Sequence, residues 1–207
     1  MEIRDKIIQG ATEQFMLYGV KSVTMDDIAN ALGMSKRTIY EHFTNKKELL
    51  MDVVDYVHHQ QDLQEQQATA NAETIIDEFF HLFTSLDERY QRLGKFTFEV
   101  GKFYPEIYEE KYHAYHEKAI ERLKMRMTKG IEQGVILPEL NLELSTYMIL
   151  EMVYNVISRR RRIVQMHIPL TDAFRYTIIH LLRGFSTDKG IAIIDEKSKN
   201  WRTSSYV

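Results

Sequence analysis

The chain has no cysteine, three prolines and nine glycines in 207 residues. Without cysteine, disulfide staples, thiolate chemistry and thiol redox sensing are excluded, and a cytoplasmic setting is expected. With so few chain breakers, long uninterrupted helices are expected. Long apolar runs are missing as well. The most apolar stretch, residues 147–157, is interrupted by Glu151 and Asn155 and is shorter than the about 20 residues that span a bilayer. The opening MEIRDK is charged and unlike a signal peptide, so neither secretion nor membrane embedding is expected. There is no excess of one charge either: 27 basic and 30 acidic residues give a net −3. Any surface for a polyanion must therefore be a local patch.

What is present is helical periodicity. Ile3, Ile7, Ile8, Ala11 and Phe15 share one face, and Gly19 marks a stop. Thr24 with Asp27 forms a capping-box variant, and Met25, Ile28, Ala29 and Leu32 make the next stripe. Gly33 suits a left-handed turn, and Ser35 can cap a third helix that carries Ile39 and Phe43 inward. Asn45 with Glu48 predicts a fourth helix through Leu49, Leu50, Val53, Val54 and Val57. Residues 60–71 either extend it or form a loop. Further helical stripes run through Ile75–Leu86, 90–103 and, after Pro105, through Ile107, Tyr108, Tyr112, Tyr115, Ala119, Leu123, Met127 and Ile131 to Gly134 and Pro138. No segment alternates with a period of two, so an all-α fold without a sheet is expected.

Residues 24–43, TMDDIANALGMSKRTIYEHF, read as two short helices broken by a Gly-containing turn, the second basic and capped by serine. That is the layout of a helix-turn-helix whose second helix enters the DNA major groove. Lys36 and Arg37 open this helix and are the first choices for reading bases, with Thr38 meeting a phosphate or a thymine methyl. Across residues 33–48 the charges Lys36, Arg37, Lys46 and Lys47 oppose Glu41 and Glu48, a net +2. Asp26 and Asp27 sit near the same surface, so non-specific DNA binding should be weak. Glu41 is assigned no role; it accepts from a cytosine, follows the backbone or pairs with a lysine.

Residues 147–157 and 174–182 are apolar on most sides, and such helices must be covered on most sides. A homodimer joined by these two helices is expected, through Tyr147, Leu150, Tyr154, Ile157, Phe174, Ile178, Leu181 and Leu182. A symmetric DNA reader also requires one. The alternative is that both helices are central in a monomeric core.

Residues 24–43 and the following helix start resemble the N-terminal domain of the tetracycline-repressor (TetR) family. Phe15, Gly19, Thr24, Ile28, Ala29, Gly33, Ser35, Thr38, Ile39, Tyr40, Phe43, Lys46 and Leu49 carry the likeness. The remainder is similar only in outline, with a turn GVILPELN between long helices. The resemblance implies residues 1–48 as a three-helix DNA-binding domain and 49–207 as a larger helical bundle for effector binding and dimerisation. It implies a dimeric one-component transcriptional regulator, usually a repressor, released from a near-palindromic operator by a small molecule. By this resemblance Tyr40 and Lys46 hold phosphates, Lys46 aided by the free N–H groups at the start of helix four. Thr24, Ser35, His42 and Lys47 complete the expected DNA contacts.

Large side chains at helical spacing are more often core than pocket. Taken together, Phe79, Phe83, Phe96, Phe103, Tyr108, Tyr112, Tyr115 and His116 are nevertheless candidates to line a site for an apolar or aromatic effector. His113 with His116, and His58 with His59, lack the third and fourth ligands a metal needs, so neither metal nor cofactor is expected. No nucleophile–base pair or phosphate loop is present, and an enzyme is not expected. The competing reading is a DNA-binding regulator whose larger domain takes a protein partner and no small molecule. The Arg159–Arg162 run reads as a solvated helix end, and residues 197–207 as a polar, mobile tail.

Overall fold

The computed structural model describes residues 2–84, 88–158 and 170–202, without the side chains of 83, 84, 88–91, 154, 156–158, 170, 171, 174 and 200–202. Its helices are α1 (Ile3–Tyr18), α2 (Met25–Ala31), α3 (Lys36–His42), α4 (Lys46–Thr69), α5 (Ile75–Thr84) and α6 (Glu88–Phe103). A short α7 (Pro105–Ile107) leads through a π-helical turn (Tyr108–Tyr112) into α8 (His113–Glu132). Then follow α9 (Leu142–Ser158), α10 (Leu170–Phe185) and α11 (Asp188–Arg202). Among the described residues there is no strand, only an isolated bridge between Ile136 and Ser186. The Arg159–Arg162 run lies outside the described residues. The glutamine-rich stretch extends α4 to Thr69.

The chain divides into two compact units, Met1–Gln64 with Glu88–His116, and Glu65–Asp87 with Glu117–Val207. This partition differs from a cut at residue 48. Three small helices bury too little by themselves, and the first core also draws in Leu49, Leu50, Val53 and Val54 of α4, Phe96 and Val100 of α6, and Ile107. Around these pack Ile7, Ala11, Phe15, Ile28, Ile39 and Phe43, all at most 1% exposed. Ile3, expected on the inner face, is 49% exposed. Thr12 replaces it at the buried stripe and satisfies its hydroxyl on the carbonyl of Ile8 at 2.7 Å.

Local signals explain the short helices. Thr24 accepts from the Asp27 amide at 3.1 Å, while the Asp27 carboxylate accepts from the Thr24 amide at 2.8 Å. That reciprocal pair satisfies two end groups of α2. At its other end Gly33 has φ +62°, the Met34 amide donates to Ala29 O at 2.9 Å, and the Gly33 amide donates to Asn30 O at 3.2 Å. These two bonds make a Schellman stop, which needs a left-handed residue there. Asn45 accepts from the Glu48 amide at 3.0 Å and opens α4.

The second unit packs Ile75, Ile76, Phe79 and Phe80 of α5 against Leu123, Met127, Ile149, Ile178, Leu182 and Ile194. Thr74 and Asp77 form a second reciprocal cap, at 2.8 Å and 3.3 Å, not noticed in the sequence. Two basic side chains hold the buried Glu78: Arg126 Nε at 3.1 Å and Lys129 Nζ at 2.8 Å. The segment 197–202, read as a mobile tail, continues α11; Lys197 pairs with Asp77, and Ser198 is 1% exposed. Its polar sequence concealed an anchor because the partner lies 120 residues earlier.

The start of α11 is pinned to the turn after α8. Thr187 N donates to Val135 O at 3.1 Å, Leu137 N to Phe185 O at 2.9 Å, and Lys189 Nζ to Gln133 O at 2.9 Å. A Cβ at Gly190 would stand 2.2 Å from that same Val135 carbonyl oxygen, which no rotamer change can relieve. Gly190→Ala should therefore destabilise the protein by about 1–3 kcal/mol. Gly184→Ala, in open space, should not lower the thermal midpoint measured beside it. For Asp77, burial pushes the carboxyl up, but hydrogen bonds from Lys197 and Thr74 outweigh it and hold the group below its ordinary value. A depressed folded pKa gives stability that is complete above the unfolded pKa and is lost as pH falls through the folded value. Melting curves should thus show an acid limb below about pH 5 that is flatter in Asp77→Asn.

Candidate nucleic-acid interface

Helix α3 is held by one buried residue, Ile39, with Phe43 immediately after it; both are 0% exposed. With those two turned inward, Lys36, Arg37 and Tyr40 lie on the outer face, and Tyr40 is 49% exposed. Ser35 caps the helix by accepting from the Thr38 amide at 3.1 Å, and its hydroxyl shares a 2.9 Å hydrogen bond with the Thr38 hydroxyl. His42 is half-buried at the helix end. Thr24 lies at the head of α2, where its hydroxyl donates to Asp27 at 2.7 Å. The three hydroxyl candidates therefore already shape the backbone. Thr24 and Ser35 remain exposed, and Thr38 is half-buried.

Each basic candidate has an acidic neighbour. Lys36 pairs with Asp26 of α2, whose hydrogen bond pulls the ammonium above its ordinary pKa. Arg37 Nε donates to Glu41 Oε1 at 2.9 Å, so Glu41 pairs with arginine and not with a lysine. Lys47 meets Glu106 at 2.7 Å, and that hydrogen bond holds the carboxyl below its usual range. Lys46 is half-buried: burial lowers its pKa, Asp27 and Glu99 oppose that, and its Nζ donates to Lys21 O at 3.5 Å. Its charge sits 5.7 Å from the Phe15 ring centre.

Two partners were missed in the sequence. Glu99 of α6 accepts from the Lys21 amide at 3.4 Å, and Phe103 lies under Lys21 Nζ at 5.1 Å. Nothing local marks them, since both reach the turn after α1 from far along the chain, Glu99 from 78 positions away. The Arg37–Glu41 pair was also missed, the expected partner being a lysine, although glutamate and arginine four apart on a helix meet.

The effector candidates divide between the two units. Phe96 fills the core of the first unit at 1% exposure, whereas Phe79 is buried in the core of the second. The side chain of Phe83 lies outside the described residues. Phe103 lies by Lys21 and Lys102, and His116 is half-buried. What does assemble is an aromatic cluster in the first unit. Tyr108 stacks on Tyr112 at 4.8 Å, and His58 of α4 stacks on Tyr115 at 4.0 Å and meets Tyr112 edge-on at 4.8 Å. Burial pushes the Tyr112 phenol up to about 12, and it donates to Thr97 at 3.2 Å. A polar hollow of about 330 Å³ lies elsewhere, lined by Gln14, Tyr18, Ser22, Val23, Asp27 and Asn30. Among the described residues no group of three or more His, Asp or Glu is placed to hold a metal.

Of the dimer candidates, Ile178 and Leu182 are 2% exposed and spent in their own core, while Leu150 and Leu181 are half-buried. Tyr147 is 52% exposed. The side chains of Tyr154, Ile157 and Phe174 lie outside the described residues. Alongside Tyr147, the exposed apolar row on α9 is Leu144, Met148 and Met152, with Tyr176 exposed on α10. No helix among the described residues is long and apolar enough to cross a membrane.

Two short helices meeting at a left-handed glycine, with the outer face of the second basic and its inner face anchored, define a helix-turn-helix of the DNA-binding class. Residues 7–53 match the family described as bacterial regulatory proteins, tetR family. The chain is 39% identical over 61 residues to the HTH-type transcriptional regulator TtgR of Pseudomonas putida, covering 30% of this chain and 29% of that one. It thus spans under a third of that relative's length. It is 26% identical over 149 residues to IcaR, the negative transcriptional regulator of the biofilm operon icaADBC in Staphylococcus aureus, covering 65% and 78%. A TetR-family regulator from Cytophaga hutchinsonii has the same fold, at TM-score 0.76, 17% identity and coverage of 89% and 95%.

The Lys47–Glu106 pair generates a test. Glu106→Gln should raise affinity for a non-specific duplex by roughly 2- to 5-fold, the worth of an exposed ion pair. It should also steepen the slope of log K against log salt by about 0.9, the weight of one additional phosphate contact. Fluorescence anisotropy across a salt series measures both.

Proposed function

We propose that the chain is a one-component transcriptional repressor that binds a near-palindromic operator as a homodimer and is released by a small-molecule effector. The observation that carries this reading is the outer face of α3, with Lys36, Arg37 and Tyr40 presented on a helix anchored by Ile39. Arg37 and Lys36 read base edges; Tyr40, Thr38, His42 and Lys47 set the register on phosphates. Lys46, whose Nζ also donates to Lys21 O, holds a further phosphate at the start of α4. Repression is favoured by the likeness to IcaR, a negative regulator.

The apolar row Leu144, Tyr147, Met148 and Met152 with Tyr176 supports dimerisation, because a soluble subunit gains by covering such a patch. Two recognition helices about 34–36 Å apart would then enter successive major grooves. The cluster of His58, Tyr108, Tyr112 and Tyr115 is the favoured place for an apolar or aromatic effector, which has stacking faces and a buried phenol there. His58 belongs to α4, which begins at the interface with Lys46, so displacement there has a covalent route to the reading head. A coupling of about 1–3 kcal/mol changes occupancy roughly 5- to 150-fold.

The test is binding of the purified chain to fragments of its own upstream region, with a salt titration and Arg37→Ala beside it. Saturable binding of one dimer per site is expected, with specificity lost in the variant. Absence of any sequence preference at all salts would sink the reading. An effector that leaves operator affinity unchanged at saturation would sink the release step alone and favour a protein partner.

A further inference from the structure

Arg37 reaches solvent with a carboxylate already attached. Its side chain is 87% exposed, Glu41 is 56% exposed one turn on, and the 2.9 Å bond between them uses Nε. A guanidinium presents five N–H groups in a planar fork. Guanine in the major groove offers two acceptors, O6 and N7, matched by two parallel donors. With Nε engaged along the helix, the two terminal nitrogens are the donors left for a base. Lys36 differs. Its partner Asp26 belongs to another helix and competes for its single charged group.

We propose that Glu41 is a specificity-determining positioning residue: by holding Arg37 through Nε it presents the terminal guanidinium edge to a guanine and discourages its use as a general phosphate clamp. This rests on the reading that the chain binds an operator. Two physical effects act in the same direction. An arginine restricted before binding loses less rotamer freedom on meeting the base. The Glu41 carboxylate also repels phosphates wherever no base contact compensates, so mismatched duplex is penalised more than the correct site. An exposed pair separated by one helical turn is weak in isolation, and its consequence should therefore appear in discrimination more than in stability.

The experiment begins by selecting duplexes from a random-sequence library with the full-length wild-type chain. Affinities are then measured for the selected site, for the same site with each guanine replaced in turn, and for unrelated duplex. The proteins compared are wild type, Glu41→Gln, Glu41→Ala, Arg37→Lys and the Arg37→Lys/Glu41→Ala pair. In Glu41→Ala, affinity for unrelated duplex should rise while discrimination at one guanine falls about 5-fold or more, the lower end of a bidentate contact. Glu41→Gln retains an acceptor for Nε and should keep part of that discrimination. Lysine has no fork, so the double variant should discriminate at that guanine no worse than Arg37→Lys alone. If all affinities rise together with the ratios unchanged, Glu41 is only a diffuse negative charge and the proposal is overturned. Equal loss of discrimination in both Arg37 backgrounds also overturns it. A wild-type chain that selects no sequence overturns both this proposal and the operator reading, which sets that failure apart from the others.

Discussion

The reading head depends on burial that its own helices cannot supply. Helices α2 and α3 have seven residues each, far below the about 12–15 at which an isolated helix is even marginal in water. They persist because Ile28, Ala29, Ile39 and Phe43 reach a core completed by Leu49, Leu50, Val53 and Val54 of α4. Caps and the Schellman stop choose where the helices begin and end, each worth about 1 kcal/mol; the shared core makes them stable at all. Anything that shifts α4 therefore bears directly on α3, because the two share one core.

The same surface is electrically restrained. Lys36, Arg37 and Lys47 are each matched by a carboxylate, from Asp26, Glu41 and Glu106. These carboxylates offset the basic side chains, so the surface is less positive than a count of basic residues implies. Lys46 is a separate case. Half-buried and bonded to the Lys21 carbonyl, it braces the turn between α1 and α2.

The second unit uses buried charge in the opposite sense, to fasten elements together. Glu78 held by Arg126 and Lys129, and Asp77 held by Lys197, tie α5 to α8 and α11. Such pairs stabilise only while both members are ionised. They convert a polar C-terminal segment into an anchored helix.

Local chemistry was legible in the sequence. Stripe, cap and glycine positions determined α1 to α4, the helical character of the described residues, the Gly33 and Gly134 turns and the exposed basic face of α3, because each depends on neighbours within about four residues. The rest was decided by tertiary structure. The sequence cannot reveal that Glu99 reaches the turn after α1 and Glu106 the start of α4, that Phe79 and Phe96 fill different cores, or that Ile178 and Leu182 are spent internally while Met148 and Met152 face out. An apolar helix shows only that it must be covered. Which neighbour covers each side is set by contacts between residues far apart in the chain, and periodicity carries no information about them.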